Sequence, residues 1–188
     1  MGAADWTLPT QTEFGGQVYP FNSDYRDILE IIGVIQTETD TQMAALTALA
    51  LFYEDIFAIP TEHWQAALEY LYGFISCFEA DDGRPQPKSF DWEQDYGMIS
   101  ADVNKVAGCE VRALEHLHWF TFIGYFTSIG DGQLVNIVSI RQKLRKHQKL
   151  DKWEQEFYRD NKAKVDLKVK YTPEEQEVID ELNKRLGR

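Results

Sequence analysis

The sequence predicts a mainly α-helical single domain with a small N-terminal β-hairpin, which a C-terminal strand can join. Three observations carry this. Apolar residues recur at spacings of three and four through most of the chain, the period of amphipathic helices. Two segments depart from that period: residues 11–21, where short polar-apolar runs flank Gly15-Gly16, and residues 165–171, which alternate with period two. Finally, 188 residues that are 44% hydrophobic, with 11 Phe, 9 Tyr and 5 Trp, suffice for one core and argue against disorder. The expected organisation is a helical unit at 1–171 with an exposed loop at 81–88, then a short terminal helix or tail at 172–188.

In chain order, Gly15-Gly16 supplies the positive φ angles of a tight turn, and Pro20 places the second strand at an edge or at its own end. Asn22, Ser23 and Asp24 are all able to cap the helix that Tyr25, Ile28, Leu29, Ile32 and Ile35 then trace. Gly33 weakens that helix by about 1 kcal/mol relative to alanine and reads as the mark of a close helix contact. A second helix follows the Thr39-Asp40 cap, with Met43, Leu46, Ala50 and Tyr53 on one face. Pro60 closes the link, and Thr61 is placed as the cap of a third helix whose Trp64, Leu68, Leu71, Tyr72, Ile75 and Phe78 form a wide stripe. Two prolines, a glycine and no apolar residue make 81–88 an exposed loop.

Residues 90–107 read as a helix through Trp92, Tyr96, Ile99, Val103 and Val106, weakened at Gly97 and ended by Gly108. The most apolar stretch, 114–129, is expected as a central helix stopped by Gly130-Asp131-Gly132, followed by a shorter helix at 134–141. Asp151 caps a helix through Trp153, Phe157 and Tyr158. The alternation at 165–171 predicts a strand able to pair with the hairpin. Thr172-Pro173-Glu174-Glu175 reads as a capping box opening a charged, peripheral helix with Val178, Ile179, Leu182 and Leu186 as its stripe.

A formal charge of -12 argues against a general nucleic-acid binder, whose affinity comes from cations on phosphates. The acidity is uneven. Residues 1–110 hold 4 Lys or Arg against 19 Asp or Glu, whereas 141–170 hold 11 against 5. Such polarity can draw together two parts of one chain, or neighbouring copies head to tail, so a homo-oligomer is one expectation. Cys77 and Cys109 form no Cys-x-x-Cys pair, there is no secretory leader pattern at residues 1–14, and no apolar run is long enough to span a membrane. The expectation is a soluble intracellular protein.

Motifs for chemistry are wanting. His116-Leu117-His118 lies near Cys109, but on a helix positions two apart point about 200° from each other and cannot chelate one ion. Glu54-Asp55, Asp81-Asp82 and the Asp91, Glu93, Asp95 set read as solvated surface, the last lacking the glycine-centred loop and distal glutamate of a calcium site. No phosphate loop, dinucleotide fingerprint or nucleophile elbow occurs. Neither catalysis, nor a cofactor, nor a metal is expected.

Three blocks resemble one family. Leu8-Pro9 with the segment Gly16-Gln17-Val18-Tyr19-Pro20-Phe21-Asn22-Ser23-Asp24-Tyr25-Arg26 is similar to its opening motif. Leu117-His118-Trp119-Phe120-Thr121-Phe122 with Phe126 resembles its Leu-His-Trp-Trp-x-Phe core, with Phe120 in place of the second tryptophan. Gln155-Glu156-Phe157-Tyr158-Arg159 resembles a charged segment near its end, while Ser139-Ile140-Arg141 stands where a Tyr-Arg pair is frequent. The family is the bacteriophage gene-product-fifteen family of tailed phages and prophages of Gram-positive bacteria. Its genes typically lie between those of the major tail protein and the tape measure protein. The resemblance therefore implies a non-catalytic tail assembly chaperone in the host cytoplasm, with the tape measure and major tail proteins as partners. Its alternative is a structural protein retained in the virion, in the tail or connector. Trp119, Phe122, Phe126, Trp153, Phe157, Arg141 and Arg145 are the candidate partner-binding residues.

Overall fold

A computed structural model describes residues 7–79, 83, 87–168 and 173–186. Strands β1 (Gln11–Phe14) and β2 (Gln17–Pro20) pair antiparallel, Gln11 opposite Pro20 and Phe14 opposite Gln17. Gly15 and Gly16 turn between them at φ +58° and +81°, angles a side chain would strain. Phe14 and Tyr19 meet at 5.9 Å and lay the hairpin on Tyr53 and His63. Beyond Pro20 the chain stays extended. Asn22 donates its backbone N–H to the Phe52 carbonyl and its side-chain amide to that of Leu51, which pins the end of the second helix.

Helices α1 (Tyr25–Thr37) and α2 (Thr41–Phe52) are capped by Asp24 and Asp40, as their polar, non-helical caps require. With α3 (Trp64–Ile75), α4 (Tyr96–Ala107) and α5 (Trp119–Thr127) they enclose one core. Ile28, Ile31, Ala48, Phe52, Leu71, Phe74, Val103 and Trp119 are all but inaccessible there. The indole of Trp119 donates to the Ile75 carbonyl at 3.0 Å, so its one polar atom is satisfied at the end of α3. Helices α6 (Gln133–Arg145) and α7 (Lys152–Val165) enclose a smaller cluster of Ile137, Ile140, Leu150 and Val165. Asp151 and Glu154 close a reciprocal capping box on α7. The last element is α8 (Pro173–Leu186).

Several sequence expectations shift. The sheet among the described residues has two strands: Val165 ends α7 and residues 167–168 are not strand, while 169–171 lie outside the described residues. The Lys162 carbonyl accepts from Asp166 N–H, so helix closure prevails over a two-residue alternation. The expected helix over 114–129 begins at Trp119, because residues 116–118 run extended against Asp24. Residues 91–95 form a turn ahead of α4, since Asp91 Oδ1 takes the N–H groups of Glu93 and Gln94. Asp91 and Asp95 are consequently buried, correcting their reading as solvated surface.

Thr61 opens a 3-10 turn, Thr61–His63, and gives α3 no side-chain cap. Phe78 does not continue the α3 stripe. Cys77 and Phe78 turn left-handed, and the Phe78 ring folds onto Gly73, where a Cβ would overlap it. Helix α6 extends to Arg145, beyond its expected end. Gly33 makes no close helix contact: a Cβ there would meet nothing within 4 Å. Of the 81–88 loop, Gly83, Pro87 and Lys88 are described and exposed, and the expected capping box at Thr172 lies outside the described residues.

Candidate functional site

The entrance to α1 is tied to the segment ahead of α5 by a dense polar junction. Asp24 Oδ1 accepts from Arg26 N–H and Nε, and Oδ2 from Arg26 Nη2 and the Leu117 N–H. Tyr25 N–H donates to the Leu117 carbonyl and Trp119 N–H to that of Ser23, forming a one-bridge ladder. Burial works against the Asp24 charge, but Arg26 and the backbone N–H groups outweigh it and hold the carboxyl below its ordinary pKa. Arg26 Nη2 reaches on to the Leu114 and Glu115 carbonyls. Tyr25 and Phe122 stack at 4.4 Å beneath.

His116 and His118 belong to this junction. His118 Nδ1 accepts the Phe120 N–H, capping α5, which leaves Nε2 to donate its proton to the Pro9 carbonyl at 2.9 Å. Burial pushes the His118 pKa down against the pull of that carbonyl. His116 Nε2 lies 3.2 Å from Ser23 Oγ. Among the described residues no group of three or more His, Cys, Asp or Glu is placed to hold a metal ion.

Beside the junction runs a groove of about 770 Å³ along the length of α1. Leu29, Ile32 and Gly33 form one wall and Trp92 and Tyr96 the other. Arg112 closes the end near Tyr25, donating to the Tyr96 hydroxyl at 3.2 Å and paired with Glu110, whose carboxyl it pulls down to about 2. At the Gln36 end the groove opens onto a mouth lined by Lys88, Phe90, Trp92 and Lys168. The α1 stripe thus serves two neighbours: Ile28 and Ile31 enter the core, whereas Leu29 and Ile32, one position on, face the groove. Gly33 keeps the wall low.

The residues expected to bind partners are scattered. Trp119 and Phe122 are buried in the core, and Phe126 packs against Phe90 and Trp92. Arg141 is buried too, its guanidinium clasping Asp95. These positions correct the expectation of a contact surface: apolar width and charge count do not reveal which side a neighbour covers. Trp153 is 54% exposed and stacks on Phe157 at 5.4 Å. Arg145 is exposed, with Nη1 near the Pro87 and Lys88 carbonyls. The groove residues Leu29, Ile32, Trp92 and Tyr96 carried an apolar signal in the sequence that was indistinguishable from core.

The profile of the bacteriophage Gp15 protein family matches residues 5–167. The chain belongs to this family. No match is found among curated proteins or solved structures. As a Gp15 protein it is of the phage structural or morphogenesis class. Among the described residues no helix is long and apolar enough to cross a membrane. In this Gp15 protein the opening block and the Leu-His-Trp block, 93 residues apart at Asp24 and Leu117, meet at the polar junction.

Proposed function

We propose that this Gp15 protein is a non-catalytic tail assembly chaperone acting in the host cytoplasm, holding helical segments of the tape measure protein and helping to recruit tail tube subunits. The observation that carries the reading is the groove, a helix-length trough walled by Leu29, Ile32, Trp92 and Tyr96. An amphipathic helix presents apolar side chains at i, i+3, i+4 and i+7, and a trough along another helix is the surface that takes them.

Co-expression with the tape measure protein tests this. The wild type should keep the tape measure protein in solution and co-purify with it, together with the major tail protein. Gly33→Arg, which fills the trough from α1 where a Cβ meets open space, should lose the complex while keeping its fold. A tape measure protein that is equally soluble without this chain would overturn the reading. So would mass spectrometry finding the protein in finished virions at structural copy number, which would establish the retained component instead.

A further inference from the structure

We infer that the α1 groove is the docking site of the protein's own terminal helix, with α8 lying in it antiparallel to α1. Two apolar faces of the same chain lack cover. One is the groove. The other is the α8 stripe, where Val178, Leu182 and Leu186 are 59%, 52% and 63% exposed and repeat every fourth residue, with Ile179 beside them. A helix of 14 residues is marginal in water by itself, so α8 gains its stability from whatever surface covers that stripe.

Length and tether select this occupant. At 1.5 Å per residue α8 is about 21 Å long and α1 about 20 Å, so stripe and trough match. The chain leaves the body at the trough's open end: Lys168 lines the mouth, its N–H donates to Gln94 Oε1, and Gln94 Nε2 donates to the Asp166 carbonyl. From Lys168 to Pro173 there are five Cα steps, a reach of at most about 18 Å. That tether keeps α8 at an effective concentration on the order of millimolar.

Starting from the Gln36 end, α8 runs toward Tyr25, opposite in direction to α1, which opposes the two helix dipoles favourably. Glu177 then lies toward the end lined by Lys88 and Lys168. The two arginines at the Tyr25 end, Arg26 and Arg112, are already neutralised by Asp24 and Glu110. A client helix must displace α8, so the terminal helix sets a threshold for loading; that consequence rests on the chaperone reading, while the docking does not.

Disulfide trapping in the full chain, with Cys77→Ser and Cys109→Ser, decides between arrangements. Gly33→Cys with Val178→Cys should form an intramolecular bond under mild oxidation, at least about tenfold faster than Gly33→Cys with Asp180→Cys, whose side chain points about 200° away. Hydrogen exchange supplies the second readout: α8 amides should be protected in the wild type and exchange about tenfold faster in Leu182→Glu. That substitution lies on exposed surface and leaves the body folded. Equal trapping rates, a bond formed between two chains, or α8 amides exchanging at unprotected rates in the wild type would each overturn the docking. In the co-expression assay Leu182→Glu should raise the yield of bound tape measure protein. If no client binds while the internal disulfide forms, the chaperone reading fails and the docking stands.

Discussion

Replacing Asp95 by alanine removes the carboxylate on which the α6–α7 unit is fastened to the body. Asp95 Oδ2 accepts from Arg141 Nη1 at 2.6 Å and from the Asp91 N–H at 3.0 Å, and Oδ1 accepts from Nη2 at 2.9 Å. The guanidinium also donates through Nε to the Val165 carbonyl, through Nη2 to Lys164 and through Nη1 to Ser89, so all five of its N–H bonds are spent. Without Asp95 a cation 6% exposed is left unpaired. Breaking a buried pair from one side costs about 3–5 kcal/mol, against roughly 0–1 kcal/mol for a surface pair such as Lys105–Asp131.

For a chain of this size the loss corresponds to roughly 6–20 °C in Tm. Urea unfolding followed by circular dichroism, alongside thermal melts, reads both quantities. The double variant Asp95→Leu with Arg141→Met buries no lone charge and should recover part of the loss. Recovery stays incomplete, because three carbonyls lose their donor, and a buried unsatisfied group costs about 1–3 kcal/mol. A single variant that costs less than about 1 kcal/mol would refute this account. Full recovery in the double variant would refute the role given to the carbonyls.

Three further outcomes follow from the same structure. Trp119→Ala should cost about 3–5 kcal/mol in denaturant unfolding and Trp153→Ala within about 1 kcal/mol, since one indole fills the core and the other lies on the surface; equal losses would contradict the burial pattern. Burial lowers the folded-state pKa of His118, so its stabilising neutral form is fully present above the ordinary value of 6.5 and the unfolded chain takes up a proton first below it. Tm should therefore fall as pH drops through that value, and His118→Asn, which keeps a cap acceptor without titrating, should flatten that part of the profile. Gly132→Ala should lower stability by about 1–3 kcal/mol in thermal melts, because φ is +154° and the new Cβ would overlap the Asp102 carboxylate that accepts the Leu134 N–H; an unchanged Tm would refute the strain.

Much of the local structure is legible along the chain. The Gly15-Gly16 turn, the Asp24, Asp40 and Asp151 caps and the α1 stripe follow from φ preferences, side-chain acceptors and period, all of which act within a few residues. The face expected on α2 is the wrong one: Met43, Leu46 and Ala50 are exposed, and Ala44, Ala48, Leu49 and Phe52 are buried, because an alanine-rich helix leaves the choice of face to its neighbours. Elsewhere a neighbour, near or far along the chain, overrides the local pattern. Residues 116–118 have a helical apolar content, yet run extended because Asp24 and Ser23 offer them a ladder from 93 residues away. Trp92 fits the helical period of 90–107 but sits in a turn ahead of α4, where Asp91 Oδ1 accepts the Glu93 and Gln94 N–H groups and the Asp95 carboxylate, held by Arg141, takes the Asp91 N–H.

The groove lay in plain sight as Leu29, Ile32, Trp92 and Tyr96, but period says which residues share a face and nothing of what lies opposite. By itself, then, the sequence determined a helical domain with a hairpin, its caps and turns, the uneven charge and the family likeness. Only the tertiary structure decided that Arg141 and Trp119 are interior and that Leu29 and Ile32 of the α1 stripe line a groove. Burial is a relation between elements, and packing distances, unlike periods, are not written along the chain.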